Sequence, residues 1–124
     1  MTPIVIIESP YAGDVERNTT YLRAALLDSL LRGEAPYASH GLYTQDGVLD
    51  DTIQEERDLG IQAGFVFRHV AQRTVVYDDL GISEGMRLGI EHSIAIGVPV
   101  EYRQIGTPAS CEAITRMEHG NVKR

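Results

Sequence analysis

Polar residues able to bind or transform a small molecule fall in three short stretches, each following a run with strand character: Ser9 to Asp14, Ser39 to Tyr43 and Asp78 to Ser83. The first stretch offers Ser9, Tyr11, the backbone amides around Gly13 and the start of a helix, a set that can hold an anion or a sugar hydroxyl. Arg17, one turn later, either reaches a phosphate or pairs with a surface acid. Asp78 and Asp79 follow a strand directly, where a carboxylate accepts hydrogen bonds from a ribose or works as a general acid or base. The plainer alternative is that one caps the next helix and the other is solvated. His40 titrates near neutrality if it stands at the site, and is an ordinary loop histidine otherwise. Glu84, Leu88 and Glu91 lie at i, i+4 and i+7, so Glu91 points either along the ligand rim or into solvent. Ser83 precedes Glu84 at the same rim.

These residues need a scaffold that brings distant segments together. Pro3 to Glu8 is a continuous β-branched run that suits a strand buried on both faces, and Ser9-Pro10-Tyr11-Ala12-Gly13 breaks it. Asp14 is a good N-cap, and Val15, Leu22, Ala25, Leu26, Ser29 and Leu30 recur at helical spacing until Gly33 ends the helix. Ala35 to Ser39 reads as a second strand, followed by a long polar loop from His40 to Leu49 that is a candidate lid. Thr52 with Glu55 forms a capping-box pattern, and Ile53, Gly60, Ala63, Gly64, Phe67, Val70 and Ala71 mark one face of the helix that follows. Thr74 to Tyr77 predicts a third strand, Ser83 to Ile96 a helix, and Pro99 to Tyr102 a fourth strand. Thr107-Pro108 predicts a short helix through about Met117. The alternation βαβαβαβ predicts an α/β domain of Rossmann-like, flavodoxin-like type: a mainly parallel sheet of four or five strands between helices. Ligands of such sheets bind outside the carboxyl ends of the strands, where the three polar stretches would meet.

Composition narrows the partners. The 124 residues carry a formal charge of −7, with 18 acidic against 11 basic side chains. No window gathers Lys and Arg into a stripe that could follow a phosphate backbone, so a polymeric nucleic-acid partner is disfavoured while a nucleoside or mononucleotide is not. Cys111 is the only cysteine and the four histidines are scattered, which predicts no internal disulfide, no metal site and no cofactor. No stretch has the length of a membrane span, and the expected location is cytoplasmic. Residues 1–103 read as one domain and residues 104–124 as a C-terminal extension.

Two further motifs, taken with Ser9-Pro10-Tyr11-Ala12-Gly13, carry a resemblance: Gly85-Met86-Arg87-Leu88-Gly89-Ile90-Glu91, and Gly97-Val98-Pro99-Val100. Over roughly residues 3–103 the sequence resembles the nucleoside 2-deoxyribosyltransferase-like superfamily, in particular an uncharacterised branch found in phage and bacteria. That resemblance implies a homo-oligomer that cleaves or transfers the N-glycosidic bond of a nucleoside or nucleotide. It implies Tyr11 as the residue that positions a nucleophile, and Asp78 or Asp79 as its acid or base partner. In that superfamily the nucleophile is a glutamate eight residues before the glycine of the last motif. Counting back from Gly97 reaches Gly89, and Glu91 stands two residues on, about 200° round a helix. Either a local shift brings Glu91 or Glu84 to the site, or the pocket is kept for binding alone.

Overall fold

The computed structural model describes residues 2–106; the helix expected after Thr107 lies outside them. The strands are β1 (Ile4–Glu8), β2 (Ala35–Tyr37), β3 (Arg73–Tyr77) and β4 (Val100–Arg103). The helices are α1 (Val15–Leu31), α2 (Ser39–Leu42), α3 (Gln54–Arg68) and α4 (Glu84–Ile96). All strand pairs are parallel and the order is β2-β1-β3-β4, the α/β arrangement expected from the alternation of elements. The order reverses direction at β1, which leaves a crevice between the carboxyl ends of β1 and β3.

Alternation along the strands splits the interior into two layers. Val5, Ile7, Val75 and Tyr77 pack with Tyr21, Leu22 and Ala25 of α1 on one face. Val76 packs with Met86 and Ile90 of α4 on the other. The helical face of α1 is turned slightly from the one expected: Tyr21 and Ala24 are buried, while Val15 and Leu30 are exposed. Asp14 caps α1 by accepting from the Arg17 amide at 3.1 Å. Gly97 ends α4 at φ 80°, a left-handed conformation that favours glycine.

Two expectations change in the stretch between β2 and β3. The stretch from His40 to Leu49, expected as one polar loop, begins inside the short helix α2, seated on α3 where Gly64 admits Ser39. The Thr52/Glu55 capping box does not form. Helix α3 begins one residue later than that pattern requires, after Ile53, and Thr52 gives both its amide and its hydroxyl to Asp50. The face that α3 turns inward carries Gly64 and Arg68, while Phe67 and Val70 are exposed. A buried arginine sets that orientation, and apolar spacing carries no sign of it.

Candidate functional site

Glu8 is the last residue of β1 and projects to the α3/α4 side of the sheet, in phase with Ile6. Its carboxylate forms an ion pair with Arg68, which is only 2 % exposed. The Arg68 guanidinium is fixed further by Thr74 Oγ1 at 3.1 Å from Nε and by His92 Nδ1 at 3.1 Å from Nη1. Burial pushes the Glu8 carboxyl up to about 7, with Arg68 pulling against it. A proton there is exchangeable at neutral pH, as general acid–base work requires.

Directly after Glu8 the chain turns away from the sheet, and Ser9, itself buried, lies 2.7 Å from His40 Nε2. Burial lowers the His40 imidazole to about 4, so at neutral pH it is uncharged and able to accept a proton. Asn18, on the inner side of α1, donates to the carbonyls of Tyr11 and Ala12 at 2.9 and 3.1 Å and holds the turn in shape. Gly13 completes that turn at φ 96°.

Glu8, Ser9, Tyr11, His40, Arg68 and Ser83 line one chamber of about 150 Å³, roofed by α3 and by the first turns of α4 including Gly89. It takes a group the size of one ring and is smaller than the roughly 300–1,000 Å³ of pockets that enclose a whole ligand. Tyr11, Ala12, Asp51 and Arg57 also line a wider cleft of about 800 Å³, where the rest of a larger ligand has room.

The expected site residues therefore divide. Ser9, Tyr11, His40 and Ser83 meet in the chamber, and Gly13 lines the outer cleft. Glu84 reaches the chamber wall but is exposed and paired with Arg87. Glu91 does not line it: it lies on the solvent side of α4 and is held by the same Arg87. No local shift of α4 brings it inward, because Gly89 and Ile90 take the buried positions. Arg17 is exposed and bonds to Asn18 at 3.4 Å. Asp79 is occupied elsewhere: it accepts from Tyr21 Oη at 2.5 Å and from the amides of Ile105 and Gly106 at 3.0 and 2.9 Å, tying down the chain after β4. Asp78 keeps one buried carboxylate oxygen without a partner among the described residues, yet it does not line the chamber.

Glu8 and Arg68 were missed at the sequence level. The one signal for Glu8 was a charged residue closing a strand otherwise apolar and β-branched, a position that buries a carboxylate at the rim of the sheet. Among the described residues no group of three or more His, Cys, Asp or Glu side chains is arranged to hold a metal ion, and no helix is long and apolar enough to cross a membrane.

No curated protein and no solved structure matches the chain. Residues 3–103, which include both β1 and α4, match one family over their whole length, and the chain belongs to that family, described as Domain of unknown function (DUF7768).

Proposed function

We propose that the chamber binds the sugar of a nucleoside or nucleotide and that the protein hydrolyses or transfers its N-glycosidic bond. The observation that carries this reading is a buried, protonatable carboxyl, Glu8, beside the neutral Ser9–His40 pair at the carboxyl ends of the strands. Glycosidic chemistry needs a carboxylate close to the anomeric carbon and a second group to handle protons. The resemblance to nucleoside 2-deoxyribosyltransferase-like proteins supports the same substrate class, with the sugar in the chamber and the base or a phosphate in the outer cleft. Arg57, on the wall shared by both cavities and 3.8 Å from Asp51 Oδ1, is the cation a phosphate in the outer cleft would draw from that pair.

The test is chromatography of nucleosides, deoxynucleosides and their 5′-monophosphates incubated with the protein. Release of free base, lost in Glu8→Gln, supports catalysis. A second reading, a binding protein without turnover, is favoured by the ion pair that already engages Glu8. Stabilisation by a nucleotide in a thermal-shift assay without any released base would select it. The resemblance also supports a homo-oligomer, and the exposed apolar residues Leu59, Val66 and Phe67 on α3, with Val70 just beyond its end, are the surface it would bury. A strict monomer by light scattering at working concentration rules that out.

A further inference from the structure

Glu8 and Gly89 describe one place in the chamber approached from two elements. Gly89 is buried in α4 and faces the end of β1. A Cβ built on it would lie 2.5 Å from Cδ of Glu8 and 2.9 Å from Oε1, closer than real Cβ atoms stand to any neighbour. Glu8 can therefore occupy this place only while residue 89 has no side chain. The first separation is the distance across one tetrahedral carbon, which is also the distance from Cβ to Cδ within a glutamate. A glutamate on α4 at position 89 would be able to set its own carboxyl carbon where that of Glu8 now stands.

Resting on the N-glycosidic reading above, we propose that Glu8, delivered by β1 into the room left by Gly89, is the nucleophile of the site, and that positions 8 and 89 are interchangeable carriers of one carboxylate. Arg68 holds Oε2 and leaves Oε1 for the reaction. Oε1 bonds to the anomeric carbon as the C–N bond breaks, and the bonding pair leaves on the base nitrogen, which takes a proton from water. Water, or the nitrogen of a second base, then attacks the same carbon. The ester bond to Oε1 breaks, the carboxylate returns, and the attacking group gives its proton to the Ser9–His40 pair, which passes it to solvent.

The test compares the wild type with Glu8→Gln, Glu8→Ala, Gly89→Glu and the double variant Glu8→Ala/Gly89→Glu, following base release and thermal unfolding. Glu8→Gln, which keeps a hydrogen-bond acceptor for Arg68, is expected to fold and to lose release to background. Gly89→Glu alone is expected to lower Tm and abolish release, because two carboxylates compete for one place. The double variant is expected to unfold above Gly89→Glu and to release base at least tenfold faster than Glu8→Ala. Wild-type rates in Glu8→Gln, or Tm changes that merely add in the double variant, would overturn the proposal. A wild type that releases no base from any nucleoside or nucleotide sinks the N-glycosidic reading and the nucleophile role with it. The Tm comparison then still decides whether residues 8 and 89 share one place.

Discussion

Glu34 shows how strongly a single side chain is committed in this fold. It sits just before β2 and is 6 % exposed, yet its carboxylate accepts from Arg103 at 2.8 and 2.6 Å, from Arg73 at 2.8 Å and from Ser29 Oγ at 2.8 Å. The hydrogen bond from Arg103 leads the causes that hold its carboxyl at about 2. Removing one partner of a buried pair strands the other, which costs about 3–5 kcal/mol. Glu34→Ala should therefore lower the unfolding free energy in urea by that amount, whereas Glu34→Leu with Arg103→Met should recover much of it. A loss under about 1 kcal/mol in the single variant would show that solvent reaches the pair. The Ser9–His40 pair makes a different prediction, about rate. If the imidazole takes a proton from the attacking water through the Ser9 hydroxyl, His40→Gln keeps an acceptor for Ser9 but cannot carry that proton. Turnover should then fall by about 10²-fold or more while KM changes little; a change in KM alone would reduce His40 to a binding contact.

At the scale of elements, the contact between α2 and α3 decides where His40 stands. A Cβ on Gly64 would lie 2.6 Å from Ser39 Oγ and 2.9 Å from Ser39 Cβ. The hydroxyl can rotate away, but the Ser39 Cβ is fixed by the backbone, so Gly64→Ala must push α2 off α3 and carry His40 with it. The expected cost is about 1–3 kcal/mol, the usual price of overpacking, together with weaker binding of any nucleotide that stabilises the wild type. Ser39→Gly in the same chain should restore both; failure to do so would mean that α2 does not depend on this approach. Helix ends with a local chemical signal were legible in the sequence where that signal was read: Asp14 caps α1 and Gly33 follows its end at φ 84°. Helices whose position depends on a distant charge were not. The inward face of α3 follows Arg68, whose partner Glu8 is 60 positions away, and α2 is stabilised by the surface it rests on rather than by its four residues. For the same reason Ser9, Tyr11 and His40 could be placed at the rim from strand order alone, while the partner that Glu8 finds there could not. The role of Glu8 depends on the absence of a side chain at Gly89.

For the whole molecule, the two buried groups of the chamber oppose each other in their effect on stability. Glu8 keeps a proton up to about 7 where an ordinary glutamate loses it at 4.5, and His40 refuses one down to about 4 where an ordinary histidine gains it at 6.5. Between pH 4.5 and 6.5 the native chain thus holds one proton at Glu8 that the unfolded chain has lost, and lacks one at His40 that the unfolded chain has gained. Stability rises with pH where the unfolded state binds more protons, so His40 tilts the profile upward and Glu8 downward. Each tilt is at most about 1.4 kcal/mol per pH unit. His92, also held down by burial and by Arg68, adds to the upward side. The wild type should therefore change little, with a slight rise, across this window. Below pH 4.5 it should lose stability as Glu34, ionised down to about 2 in the fold, gives up its contribution. Glu8→Gln removes the downward tilt and should make stability climb steeply from pH 4.5 to 6.5, while His40→Gln removes the main upward tilt and should make it level or falling. Urea unfolding of the three proteins at half-unit steps measures these slopes directly. Equal slopes in all three would mean that water reaches both groups, and a chamber open to water in that way could not raise the Glu8 carboxyl to about 7.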